Sequence, residues 1–268
     1  MGVAEFEREG TLVTVVLDGQ PQSAVDLEDP TRLDFEYVQH LALVIDALAP
    51  GGPLRVTHVG GAGLTLARWV HHSRDGSPQI VLEPDAGLTD AVRRELPLPR
   101  GHRIRVRPVD GLTGIAAVRH ASADLVVLDA YADGRVPAEL GTVEWFAELR
   151  RVLAPGGLVL ANVADEPGMH YAARVAAGAR EALGHVAFVG LHEVLKGKRF
   201  GNLVLVGATS PLDLFTLRRA TASAALPTGV MGWEEVDRRR PGARPFSATA
   251  GDTASSPPPP ARGSWRRR

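Results

Sequence analysis

The stretch from Pro53 to Asp85, PLRVTHVGGAGLTLARWVHHSRDGSPQIVLEPD, constrains the fold more than any other part of the chain. An apolar run, Leu54 to Val59, stops at Gly60, Gly61, Ala62 and Gly63. Leu64 to Val70 then carries apolar side chains at helical spacing, and Ile80 to Leu82 is a second β-type run that delivers an acid, Glu83. Strand, glycine turn, helix, strand and terminal acid is the order of a βαβ nucleotide-binding unit. Glycines let the backbone turn tightly and lie close to a ligand, and the acid can accept hydrogen bonds from both ribose hydroxyls. Gly61-Ala62-Gly63 lacks the third glycine of the dinucleotide fingerprint, so the paired spacing of turn and acid carries the reading. The bland alternative is a tight strand-to-helix turn with a solvated Glu.

The flanking sequence extends this unit in both directions. Residues 11–27 read as a β-hairpin turned at Asp18-Gly19, and Asp34 to Leu48 as an amphipathic helix stopped by Ala49-Pro50-Gly51-Gly52-Pro53. After Glu83, helical and strand patterns alternate. Arg103 to Val109 ends at Asp110-Gly111, and the fully apolar Leu125 to Leu128 ends at Asp129. Thr142 to Leu153 is an amphipathic helix, Leu158 to Val163 a strand and Gly168 to Leu183 a helix, followed by strands Val186 to Leu191 and Leu203 to Val206. The expected fold is α/β: a Rossmann-like, mostly parallel seven-stranded sheet with an antiparallel hairpin at its C-terminal edge and a small N-terminal β-hairpin domain. The expected division is 1–32 for the hairpin domain, 33–210 for the catalytic domain, and 211–250 for a partly helical extension. Residues 251–268, with four consecutive prolines and a final Arg-Arg-Arg, are expected to be disordered.

Composition removes several function classes. The chain has no cysteine, which excludes disulfides, thiolate catalysis and Cys-ligated metal. A net charge of −1 gives no global field for nucleic acid or membrane. The acidic N-terminus, MGVAEFEREG, does not read as a signal peptide, and no apolar run reaches the length of a membrane span, so a cytoplasmic location is expected. The adjacent His71-His72 diverge on a helix and give no metal motif, so no metal is expected.

Ligands of open α/β sheets bind beyond the carboxyl ends of the strands. Gly60–Gly63, Glu83, Asp110-Gly111 and Asp129 all fall there, without a basic partner or a Walker lysine. Three acids and a glycine turn suit a ribose, an adenine amine and a cationic sulfonium better than a phosphate. Leu17-Asp18-Gly19-Gln20-Pro21-Gln22 resembles the LDGxxQ hairpin of spermidine synthases, the polyamine aminopropyltransferases. The resemblance continues through Tyr37, the glycine turn, Glu83-Pro84-Asp85, Asp110-Gly111, and Asp129 with Pro137, over roughly residues 5–210. It implies a methyltransferase-like fold, a homodimer, and decarboxylated S-adenosylmethionine as donor to an amine. It also implies that Gln22, Gly61, Gly63, Glu83, Asp110 and Gly111 hold the nucleoside. Tyr37 and Asp133 would meet the substrate, and Asp129 would deprotonate the attacking amine.

The chain departs from that family where the polyamine is held. Ala62 stands where the family's GGGDGG turn has the Asp for the donor's amino group. Asp129-Ala130-Tyr131-Ala132-Asp133 moves the second acid one residue along, and Lys196, Lys198 and Arg199 add positive charge before Gly201-Asn202. The reading is a spermidine synthase-like transferase with an eroded polyamine site. The alternatives are a methyltransferase using intact S-adenosylmethionine and a non-catalytic nucleoside-binding scaffold.

Overall fold

The computed structural model describes residues 4–260. Three N-terminal strands, β1 (Ala4–Glu9), β2 (Leu12–Leu17) and β3 (Gln20–Asp26), form an antiparallel sheet in that order. The pairing of Leu17 with Gln20 leaves a two-residue turn, and both Asp18 (φ 49°) and Gly19 (φ 68°) are left-handed, as a type I′ hairpin requires. The sequence reading found this hairpin and missed β1, whose signal is a short alternation. Ala4 and Phe6 turn inward, while Glu5, Glu7 and Glu9 stay exposed.

The other strands are β4 (Val56–Val59), β5 (Gln79–Leu82), β6 (Ile104–Arg107), β7 (Ala123–Leu128), β8 (Leu153–Asp165), β9 (His185–Leu191), β10 (Gly201–Ala208) and β11 (Thr228–Gly232). They make one eight-stranded sheet in the order β11-β9-β10-β8-β7-β4-β5-β6. β4 pairs in parallel with β5 and β7, and β5 with β6, whereas β9 pairs antiparallel with both β10 and β11. The α/β, mostly parallel class is as expected, with eight strands in place of seven. The added strand, β11, comes from the segment read as a partly helical extension, which also holds α8 (Leu214–Ala222) and α9 (Trp233–Arg239). Among the described residues no helix is long and apolar enough to cross a membrane.

The chain divides into two compact units. The first runs through Asp129 and takes in Arg151–Leu160, and it contains helices α1 (Glu36–Leu48), α2 (Thr65–Ser73), α3 (Ala86–Glu95) and α4 (Gly111–Ala116). Val13, Val15 and Val25 of the N-terminal sheet pack in one core with Leu64 and Ala67 before and within α2, Val81 of β5, and Leu88 and Val92 of α3. These strands therefore share the interior of the βαβ unit instead of forming a separate domain at 1–32. A segment this short falls below the ~40 residues that a domain usually needs to fold alone without disulfides or metals.

The second unit comprises Ala130–Arg150 and the chain from Ala161 on, with most of α5 (Val143–Val152), with α6 (His170–Leu183) buried along most of its length, and with α7 (His192–Leu195). Its C-terminal segment corrects the expectation of disorder from residue 251. Phe246 is buried against Tyr171, with ring centroids 5.4 Å apart and the Arg174 guanidinium 3.9 Å from its ring. Asp252 pairs with Arg174 at 2.5 Å. Ser256 is fully buried: its hydroxyl accepts from the Val136 N–H at 2.8 Å, and its own N–H donates to the Val136 carbonyl at 3.2 Å. Polar and backbone pairing anchors this segment, and hydrophobic periodicity does not register such contacts. The terminal arginines, in 261–268, lie outside the described residues.

Candidate active site

Parallel pairing builds the site. Val59 of β4 lies level with Leu82 of β5 on one side and Leu128 of β7 on the other. The next residues along the three strands are Gly60, Glu83 and Asp129, so the glycine turn is flanked by two acids. The ladder continues through them, with Gly60 N–H donating to the Leu82 carbonyl at 2.9 Å and Asp129 N–H to the Val59 carbonyl at 2.9 Å.

The turn is fixed by contacts on both sides. A Cβ on Gly61 would lie 2.6 Å from a Val81 methyl, and one on Gly63 would lie 2.8 Å from Ser23 Oγ and 3.2 Å from a Val15 methyl. These glycines are needed for close approach to β5 and the N-terminal sheet, in addition to any contact with a ligand. Ala62 (φ 36°) and Leu64 (φ 62°) are held in the left-handed region, a conformation that costs non-glycine residues energy and persists only where the surroundings impose it. Three groups supply that constraint. Ser23 Oγ and Thr65 Oγ1 share a hydrogen bond at 2.6 Å, and Thr65 also donates to the Ala24 carbonyl at 2.9 Å. The buried Arg68 guanidinium donates to the carbonyls of Gly63 and Pro97, at 3.3 and 3.2 Å, and to that of Leu96. Burial lowers the pKa of Arg68 to about 10. Arg68 gives no motif in the sequence, because its partners are backbone carbonyls and not a ligand.

Glu83 is half-buried, and burial raises its pKa. Backbone N–H groups of Asp85, Ala62 and Gly61 oppose that rise, and Asp85 N–H donates to its carboxylate at 3.0 Å. The acid expected to anchor a ribose is thus already tied to the glycine turn. Asp129 receives a hydrogen bond from Tyr37 Oη at 3.2 Å, which joins α1 to the end of β7. Gln22 reaches the same place by a different device. Val15 pairs with Ser23 and Val16 with Pro21, so Gln22 is the extra residue of a β-bulge. Such bulges re-aim a side chain beside a site. Gln22, Tyr37, Gly60, Gly61, Ala62 and Asp129 line one cavity of about 30 Å³, near the volume of one water in the liquid. No residue lining it is Lys or Arg.

His58 lies in the lining too and was not singled out from the sequence. It is buried in β4, with Nε2 2.8 Å from Gln79 Oε1, while Gln79 Nε2 donates to the Ala67 carbonyl at 2.9 Å. Burial lowers its pKa to about 4, so it is neutral at pH 7. A polar residue in each of two neighbouring apolar strands, His58 and Gln79, two residues apart in register on one face, was the available signal.

Gly63, Glu83, Asp110, Gly111 and Asp133 are not among the residues lining that cavity. Asp110 is exposed and caps α4, accepting from the Thr113 N–H at 2.9 Å, which holds its pKa below the usual range; Gly111 opens that helix. Asp133, in the second unit, is exposed with φ 52° ahead of Gly134 at 71°, between Ala132 and Arg135, which exchange backbone hydrogen bonds. Its residue type suits that turn. Lys196 and Lys198 both face Glu193, at 4.0 and 3.6 Å, so their charge is partly balanced within the turn. Asp165, at the end of β8, was overlooked. It is buried, which raises its pKa, and its carboxylate accepts from the N–H groups of Ala172 (2.7 Å) and Glu166 (2.8 Å), the former in α6.

The fold has counterparts among known proteins. No family model matches the chain. The crystal structure of a probable spermidine synthase from Corynebacterium glutamicum superimposes with a TM-score of 0.84 at 30% identity, covering 92% of this chain and 93% of that one. The chain belongs to the spermidine synthase family. A polyamine aminopropyltransferase of Chromobacterium violaceum is 23% identical over 164 residues, 60% of this chain and 62% of that protein. The matched stretch thus spans about three-fifths of that relative's length. Human methyltransferase-like protein 13, solved in complex with SAH, matches with a TM-score of 0.58 at 18% identity over 78% of this chain and 95% of that one, which shows the shared methyltransferase-like fold.

Proposed function

We propose that the protein transfers an aminopropyl group from decarboxylated S-adenosylmethionine to an amine. The observation that carries this reading is the Tyr37–Asp129 pair beside the glycine turn, in a cavity whose lining holds no cationic side chain. The charge of that lining suits a sulfonium and an amine, both of which favour a nearby carboxylate, while its volume of about 30 Å³ requires the cavity to open before a nucleoside enters. The polyamine aminopropyltransferase relative and the SAH-bound structural neighbour support the same class of donor.

The chain's own residues divide the work. Glu83 would exchange its turn amides for the ribose hydroxyls, and Gln22 would close over the nucleoside from the bulge of β3. Tyr37 holds the Asp129 carboxylate in one orientation. Asp129 takes the proton from the acceptor ammonium, and the freed nitrogen lone pair forms a C–N bond to the propyl carbon. The C–S bond breaks at that carbon and its electron pair stays on sulfur, leaving neutral methylthioadenosine. Alignment of nucleophile and carbon supplies much of the rate in such a displacement, and proton removal by a positioned carboxylate adds to it.

The acceptor site is proposed to be reduced relative to a diamine synthase. Ala62 offers no carboxylate to the donor's amino group, and Asp133 serves a turn. Weak turnover of diamines is therefore expected. Ala62 also keeps a methyltransferase reading in play. The test is to incubate the protein with decarboxylated or intact S-adenosylmethionine and a panel of mono- and diamines, and to measure thioether release. Methylthioadenosine from the decarboxylated donor supports the proposal. S-adenosylhomocysteine from the intact donor alone would make it a methyltransferase, and release with neither donor would make it a scaffold. The homodimer implied by the family belongs to the same proposal and is read by sedimentation.

A further inference from the structure

A larger concavity lies at the opposite edge of the parallel strands, where β4, β5 and β6 begin. It has a volume of about 650 Å³, within the ordinary range for ligand pockets. Its floor is apolar where Ile80 and Val118 line it. Arg55, Arg103, Arg105, Arg107, Arg119 and His102 complete its polar wall, and no lining residue is acidic.

Strand geometry concentrates these charges. Side chains two apart on a strand share a face, so Arg103, Arg105 and Arg107 project from the same side of β6, while Ile104 and Val106 face the core shared with the N-terminal sheet. Two of the arginines are already engaged: Arg55 with Asp124 at 2.5 Å, and Arg103 with the Gly76 carbonyl at 3.0 Å. Arg105, Arg107 and Arg119 are exposed and make no ion pair among the described residues. A chain of net charge −1 that gathers five arginines around one concavity holds mutually repelling groups that a multivalent anion would relieve. Arginine's planar fork suits phosphate oxygens in particular.

We propose that this concavity binds an oligophosphate, as a free chain or as the phosphate arm of a nucleotide, separately from the glycine-turn site. Binding is measured by calorimetry on the full chain with inorganic triphosphate, and in parallel with ATP. The expected result is saturable one-site binding that weakens as salt is raised. In R105Q/R107Q the affinity should fall at least about tenfold, with the melting temperature and methylthioadenosine affinity unchanged. The control R93Q/R94Q, on exposed α3, should bind triphosphate as the parent does. Tighter binding of ATP would assign the apolar floor to a nucleoside, and equal or tighter binding of triphosphate would assign the site to the phosphates alone; both support the site. Absence of saturable binding, or equal weakening in both double variants, would overturn it.

Discussion

His58 allows the interior beneath the glycine turn to be tested through stability alone. The Gln79 amide is oriented by its donation to the Ala67 carbonyl, so its oxygen faces His58, and the hydrogen-bond network assigns the imidazole proton to Nε2. Burial lowers the His58 pKa from 6.5 to about 4. The difference of about 2.5 units, at ~1.36 kcal/mol each, corresponds to on the order of 3 kcal/mol between neutral and acidic conditions. The sign follows from proton counting. Between pH 6.5 and 4 the unfolded chain binds a proton at this histidine that the folded chain refuses, so stability falls as pH drops through that window. The slope is at most ~1.4 kcal/mol per pH unit for one group. His58→Gln keeps an amide donor toward Gln79 and removes the titration. Urea unfolding at a series of pH values from 7.5 to 4.5 should give a parent curve steeper than the variant's by close to one proton near pH 5. His40, which burial also lowers to about 4, should continue to contribute in both proteins. Parallel curves for parent and variant would refute the burial argument. So would a parent whose stability rises on acidification across that window.

Four further outcomes are expected. Glu83→Gln should weaken methylthioadenosine binding by roughly 1.5–3 kcal/mol, the scale of hydrogen bonds to a charged acceptor, and calorimetry showing unchanged affinity would remove Glu83 from the site. Asp129→Asn should lower kcat by about 10²–10⁴ while nucleoside binding changes far less; equal losses in both would make Asp129 a binding group. Glu144 accepts from Ser247 Oγ first, then from the backbone of Ala248 and the hydroxyl of Thr249, and its pKa is held at about 2. Its contribution is present above the ordinary value of 4.5 and lost as pH falls toward 2, so acid unfolding of Glu144→Gln should be less pH-dependent than that of the parent across that window. Truncation after Ala250 removes Asp252 and the buried Ser256, and should lower the melting temperature by several degrees; an unchanged midpoint would show that these contacts contribute nothing.

The sequence exposed those features that repeat along the chain or punctuate it. Apolar runs marked β4, β5 and β7, the spacing of Leu64 to Val70 marked α2, and Asp18-Gly19 marked a turn whose geometry only a few residue types adopt. β1 and β11 were missed because each is short and only part-buried, so its apolar side chains are too few to set a period. The docked C-terminal segment was missed for a related reason. Its anchors are one aromatic ring, one serine and several carboxylate contacts, and a proline-rich composition says nothing about whether a partner surface awaits it. Gln22 and Asp129, which line the cavity, and Glu83, which meets the glycine turn, were legible from motif order. Arg68, Ser23 and Thr65 were not, because their partners are backbone carbonyls and one another across more than 20 residues of chain.

Four acids at strand ends look equivalent in the sequence, and the structure distinguishes them by what lies within reach. Asp110 and Asp165 meet N–H groups near the start of a following helix, where a carboxylate satisfies donors that the helix itself leaves unpaired. Glu83 meets the amides of the glycine turn, so it stabilises the loop that shapes the site. Asp129 meets the hydroxyl of Tyr37, a side chain brought in by α1. The proposed role of Asp129 as the base rests on that hydroxyl contact at the end of β7.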